Sequence, residues 1–290
     1  MQRPIALLSF VFLLSFSIPA KAQTTRLPVY LNHVFFVLDS SSYAHVFDSV
    51  IFQKIGFAMV NKTTTTEGSW YGKYLMGRDS YFEVFYPTGL KGSSVGNFGF
   101  GFMTTTSGDI DQLEAQWKAG YRDSVKRDTN TVVNNGVNLP WFYSLSLYTV
   151  DSSKSGSAWV MENTPDILKS AGFTGDEMKK PILWHNFIEK KMKMKTTKSF
   201  NRIVAVEIIT NKKELGYFKK SFLGFGLTEK RHTFYNDNIH ITYTLADIPT
   251  SELKSVEIEL TDSFKEQTIA LGDRLTMHVK EKSASLFFTH

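Results

Sequence analysis

The feature that most restricts the fold of this 290-residue chain is an internal repeat of one strand, one helix and three further extended stretches, met three times. In the first pass LNHVFFVLDS predicts a strand over 31–38, and SSSYAHVFDSVIFQKIGF predicts a helix behind a serine N-cap, with Tyr43, Val46, Phe47, Val50 and Ile51 at helical spacing. GFAMVNKTTT, SWYGKYLMG and SYFEVFYPTG complete it as strands. The second pass is NFGFGFMTTT, the helical GDIDQLEAQWKAG with Ile110, Leu113 and Trp117 on one face, then YRDSVKRDT, LPWFYSLSLYTV and SAWVMENT. The third is RIVAVEIIT, NKKELGYFKKSF, GFGLTEKRHTFY, NIHITYTLAD and KSVEIELTD, and the tail GDRLTMHVKEKSASLFFTH predicts one or two more strands.

The passes keep register. A shift of 66 residues carries Phe47 onto Leu113 and His33 onto Gly99, and a shift of 171 carries the same two onto Phe218 and Val204. The expected class is therefore α+β, with tandem βαβββ modules forming cupped mixed sheets and helices on the outer face. The expected organisation is a signal peptide over 1–22, a pair of modules over 29–168, a helical, lysine-rich bridge over 169–200, and a third module with C-terminal strands over 201–290.

Composition narrows the function classes. Arg3, the apolar run 5–20 and Ala20-Lys21-Ala22 have the plan of a secretory signal, so the mature protein is expected to be exported to a periplasmic or extracellular space. The apolar run is shorter than the roughly 20 residues a membrane span requires. An exported chain could use disulfides, yet this one has no cysteine, which also excludes thiolate nucleophiles and ligands. Net charge is +5, or +3 without Arg3 and Lys21, and the basic run 190–198 reads as a solvated linker, so neither nucleic acid nor a membrane surface is an expected partner. The G-x-S-x-G, G-x-x-x-x-G-K-[ST] and H-E-x-x-H motifs are absent, and FGFGF at 98–102 lacks the G-x-G-x-x-G spacing of a dinucleotide loop.

Polar residues inside apolar strands mark the candidate site. His33, Phe35 and Val37 share one face of the first strand, Glu83 lies with Tyr81 and Phe85, and Glu162 with Val160. A carboxylate between large apolar residues is costly unless it is paired or bound to a cation. Each also has a plain structural reading: His33 as a strand histidine bonded to a backbone carbonyl, Glu83 as a partner of Arg78 or Lys73, and Glu162 as a solvated carboxylate at a strand end. Trp70, Tyr71, Tyr74, Tyr81, Phe85, Trp141, Phe142, Tyr143 and Trp159 form either core or the walls of a cup suited to a planar, apolar ligand.

Tandem βαβββ modules with His33 in LNHVFFVLD, Glu83 in SYFEVFYP and Glu162 in WVMEN resemble the vicinal oxygen chelate superfamily of glyoxalase-type lyases, extradiol dioxygenases and bleomycin-resistance proteins. The resemblance covers 29–168 well and 202–262 loosely. It implies a divalent metal (Zn, Fe(II), Mn, Co or Ni) held by His33, Glu83 and Glu162, with Glu83 or Glu162 as base and Tyr81 or Tyr74 as a hydrogen-bond donor in lyase, isomerase or dioxygenase chemistry on a small oxygen-bearing substrate. The pattern departs from the superfamily at Gly99, which stands where a fourth ligand is expected, and this departure fits a lineage that kept the cup and lost the metal. The alternatives to an enzyme are a small-molecule-binding protein and an envelope scaffold. Glu257 and Glu259 lack a first-strand partner because Val204 replaces it, so a complete second metal site is not expected; His232 at a strand end and His240 on a half-exposed strand face are not expected to be ligands, and the third module is expected to pack on the first two or pair with another chain as a homodimer.

Overall fold

The computed structural model describes residues 29–65, 68–121, 124–134, 136–147, 155–193 and 198–289. The segment 1–22, read above as a secretory signal, and part of the lysine run 190–198 lie outside the described residues.

The first half of the chain contains β1 (Val29–Val37), α1 (Ser40–His45), α2 (Val50–Ile55), β2 (Phe57–Thr65), β3 (Gly68–Met76) and β4 (Tyr81–Phe85), then β5 (Phe98–Thr104), α3 (Asp109–Tyr121), β6 (Val125–Asn134), β7 (Val137–Leu147) and β8 (Gly156–Asn163). The eight strands close into a barrel in the order β1-β4-β3-β2-β6-β7-β8-β5. The pairs β1/β4 and β5/β8 are parallel, β1/β5 is antiparallel, and among the described residues the circuit closes between β2 and β6 through the single pair Thr65 and Val132. The expected cup is thus a closed barrel.

Two local expectations change. The helix foreseen after β1 is broken into α1 and α2, which leaves Val50 exposed while Phe52 and Ile55 are buried. Its cap is Asp39, whose carboxylate accepts from the Ser41 and Ser42 amides, rather than a serine.

The chain then crosses the barrel mouth as α4 (Pro165–Ser170), α5 (Gly175–Met178) and α6 (Trp184–Met192). Thr164 caps α4, and Thr174 with Glu177 forms a capping box on α5. The remainder is β9 (Phe200–Thr210), α7 (Lys212–Gly224), β10 (Thr228–Lys230), β11 (Thr233–Tyr235), β12 (His240–Leu245), β13 (Glu252–Ala270) and β14 (Leu275–Phe288), in a second sheet ordered β10-β11-β12-β9-β13-β14. The stretch GFGLTEKRHTFY is not one strand, because Arg231 and His232 take left-handed conformations that turn it into the β10/β11 hairpin. KSVEIELTD belongs to β13, antiparallel to β9, while β12 is the parallel neighbour of β9.

Barrel and second sheet share one core, seated on α7. Phe98, Phe100 and Phe102 of β5 are fully buried on the outer barrel face, where they pack against Phe218, Phe222 and Phe225, and Trp117 stacks on Phe225. Tyr217 completes the seam by accepting from the Ala158 amide and donating to its carbonyl. At Gly156 a Cβ would land on the Phe218 ring. Gly156→Ala is therefore expected to lift α7 from β8 and lower the unfolding free energy by about 1–3 kcal/mol, measured by urea denaturation; an unchanged midpoint would mean that α7 does not depend on this contact.

Candidate functional site

Alternation along β5 sets up the interior of the barrel. Its phenylalanines face outward, so Gly99 and Gly101 face inward and leave room for the β1 side chains opposite them. A Cβ at Gly101 would meet the His33 imidazole, and one at Gly99 would meet the Phe35 ring and Ser157 Oγ. The glycine at the expected fourth-ligand position, Gly99, is thus what lets Phe35 lie across the barrel, and Gly101 does the same for His33.

A bulge in β1, where Leu31 opposes Phe102 but His33 opposes Gly101, adds a polar residue to the interior. Asn32 and His33 both line the cavity, although they are consecutive. Asn32 Oδ1 lies 3.0 Å from His33 Nδ1 and accepts its proton, so the lone pair of Nε2 faces Glu83 Oε2 at 3.7 Å. Asn32 Nδ2 is buried with no hydrogen-bond partner among the described residues. The imidazole is stacked on Tyr81 (centroids 4.8 Å apart, planes at 20°), Tyr81 is stacked on Trp184 of α6 (4.6 Å), and Trp159 meets His33 edge-on at 5.3 Å.

Glu83 sits between Phe35 of β1 and Tyr74 of β3 in the sheet. Neither cation proposed for it is its partner, since Lys73 donates to the Tyr43 and Ala44 carbonyls and Arg78 lies beside Asp79. Burial pushes the Glu83 carboxyl up to about 7, with hydrogen bonds from Tyr74 and Trp70 opposing the shift. Burial also holds His33 down to about 3, which keeps the imidazole neutral. Tyr81 and Tyr74 are both raised, first by burial and then by the Glu83 charge, so each phenol is a donor.

Glu162 is not part of this group. It lies on the outer face of β8 with Val160, while Trp159, Met161 and Asn163 line the cavity. Its carboxylate accepts from Gly108 N (2.7 Å), Ile110 N (2.8 Å) and Thr104 Oγ1 (2.9 Å), at the start of α3. The parallel pairing of β5 with β8 brings the end of β8 beside the helix that follows β5, and the positive end of that helix holds the anion there. The shared face of Glu162 and Val160 was read correctly, but it is the helix-facing side.

The set His33, Glu83 and Glu162 is therefore divided between two faces of the wall. Among the described residues no group of three or more His, Cys, Asp or Glu side chains gathers where an ion could be held. In the second sheet Glu259 binds Arg202 and Asn201, Glu257 accepts from Ser283, and His232 and His240 are exposed.

The interior is a cavity of about 490 Å³. Its walls include Phe35, Met59, Trp70, Phe85, Trp141, Phe142, Met161 and Trp159, with Asn61, Thr63, Asn130, Ser144 and Asn163 as scattered neutral polar groups. Of the nine aromatic residues marked in the sequence, Tyr71 is exposed and Tyr143 packs on the outer core, and the other seven line the cavity. One wall comes from α6, where Trp184, Phe187, Ile188 and Lys191 form a single helical face over the opening. The sequence carries that i, i+3, i+4, i+7 pattern, but within a segment read as a bridge.

Two variants test these assignments. Glu162→Ala would strand the buried Ile110 amide and the half-buried Gly108 amide and is expected to cost about 2–4 kcal/mol in chemical denaturation, with or without added metal; a loss seen only in the presence of metal would contradict the capping role. Glu83 has a folded value of about 7, above its ordinary 4.5, so its neutral form is favoured by folding and stability is lost as pH rises through that window. Removing the ionisable group in Glu83→Gln should make the variant progressively more stable relative to the parent between about pH 4.5 and 7, by up to about 3 kcal/mol. A difference that does not change with pH would place the Glu83 titration elsewhere.

Comparison with known proteins adds a family and a fold. A family model described as "Family of unknown function (DUF5829)" matches residues 31–288. No curated protein matches the chain. Among solved structures, a crystal structure of a hypothetical protein from Staphylococcus aureus is similar at 11% identity and a TM-score of 0.53, over 85% of this chain and 97% of that one.

Proposed function

From a chain that belongs to the DUF5829 family, we propose a protein that binds a small, flat, apolar molecule inside its barrel and has no resident divalent ion. The observation that carries this reading is the separation of Glu162 from His33 and Glu83: the cavity offers two ligand-type side chains in place of three or four, and the rest of its wall is aromatic, thioether or neutral polar. The strand orders β1-β4-β3-β2 and β5-β8-β7-β6, each with a helical segment after its first strand (α1 and α2 in one half, α3 in the other), support reading the barrel as two βαβββ halves of the vicinal oxygen chelate kind. On that reading the protein keeps the superfamily's cup and replaces metal chelation by enclosure between rings. Its setting remains the periplasmic or extracellular one read from residues 1–22.

A second reading, an enzyme without metal, rests on Glu83. A carboxyl that titrates near neutrality, beside a neutral imidazole and two phenols, can exchange a proton with a bound molecule. It shares the cavity with the first reading and requires the same occupant to bind.

Tryptophan fluorescence tests the binding reading, since Trp70, Trp141, Trp159 and Trp184 all line the cavity. Titration with the neutral flat probe 2-naphthalenemethanol is expected to quench it saturably, and Trp159→Ala to weaken binding on the order of tenfold, about 1.4 kcal/mol. Metal analysis of the purified chain should find no stoichiometric divalent ion, and Zn, Mn, Fe(II), Co or Ni should leave the Tm unchanged. A bound stoichiometric ion would overturn the metal-free site, and the absence of saturable quenching would overturn the binding site.

A further inference from the structure

The helix α6 carries two adjacent lysines in its last turn, and their surroundings differ. Lys190 turns toward α5 and places its ammonium 2.6 and 2.7 Å from the two carboxylate oxygens of Glu177. Lys191 lies on the cavity-lining face with Trp184, Phe187 and Ile188. Its Nζ stands 5.4 Å from the centre of the Phe187 ring and 5.9 Å from that of Trp141, and among the described residues no carboxylate lies within ion-pair distance. The residue as a whole is exposed at the barrel mouth, yet its ammonium is held below the ordinary lysine range by desolvation.

A cation set beside rings with no counter-charge supplied retains its attraction for an anion, and the rings at its side limit how much of the ammonium water can reach. The helix end explains a lysine in this turn, since cations complement the C-terminal dipole, but Lys190 already fills that role with its charge neutralised by Glu177. That account does not explain why the second lysine lines the cavity.

We propose that Lys191 is the anion-recognising group of the barrel, so that the molecule it takes is a flat, apolar carboxylic acid lying along α6 with its carboxylate at the mouth. This rests on the binding reading above. The spacing supports the orientation: Lys191 is seven residues from Trp184, or about 10 Å along the helix, and Trp184 begins the stack that leads through Tyr81 to His33. The carboxylate is thereby kept from Glu83, the acidic residue of the cavity lining, while the ring system lies between the aromatic walls. An acid of this class binds by one charge-assisted hydrogen bond at the rim and by stacking inside.

A matched pair of probes tests it in the full chain. Calorimetric titration is expected to show 2-naphthoate binding on the order of tenfold more tightly than 2-naphthalenemethanol at neutral pH. Lys191→Met should abolish that preference while retaining the alcohol, and Lys191→Arg should retain the preference; Tm and circular dichroism establish that both variants are folded. Equal affinity of the parent for the two probes, or a carboxylate preference that survives Lys191→Met, overturns the assignment and leaves the binding reading standing. Failure of both probes to bind the parent removes the binding reading, and this inference with it.

Discussion

The strand Phe98–Thr104 is the constraint on which both halves of the molecule depend. It is buried on both faces, and the two faces are built from opposite extremes of side-chain volume. Outward, three phenylalanines seat α7 and through it the second sheet. Inward, two glycines admit the His33 and Phe35 rings of the neighbouring strand. Large residues on the inner face would fill the cavity, and small ones on the outer face would leave α7 without a seat. The alternation of glycine and phenylalanine is thus a packing solution rather than a loop motif.

Much of this was legible in the sequence because strand alternation is a strict rule where pairing is regular. It put His33 and Phe35 on one face of their strand and Glu83 with Tyr81 on one face of another, and in the structure all four line the interior while Val34 and Phe36 pack outside. It failed where the rule is suspended or carries no information. The bulge before His33 hid Asn32, because an extra residue reverses the parity of everything before it. In β8 nearly every residue is buried, so the pattern gives the period but not which face is inner, and Glu162 was assigned to the wrong one. The helix contacts that settle the matter come from Gly108 and Ile110, more than 50 positions earlier in the chain.

The second half shows the same limit at the level of topology. Each strand in KSVEIELTD and NIHITYTLAD has a clear apolar face, but which of them is the parallel neighbour of β9 is decided by connection geometry. Likewise α6 has an unmistakable apolar stripe whose destination, the barrel mouth, cannot be inferred from the stripe itself. Local patterns identify surfaces that must be covered, and only the assembled chain shows what covers them.

Seven of the eight strand junctions around the barrel are ladders, while the junction of β2 with β6 is a single bridging pair among the described residues. A ladder fixes the distance between its strands through a row of backbone hydrogen bonds; one pair fixes it at a point and leaves the rest of the gap to side chains. Among the described residues the enclosure is a hoop laddered around most of its circumference and joined at one seam by a single pair. Backbone ladders therefore fix the girth of the cavity everywhere except at that seam, where side chains set it.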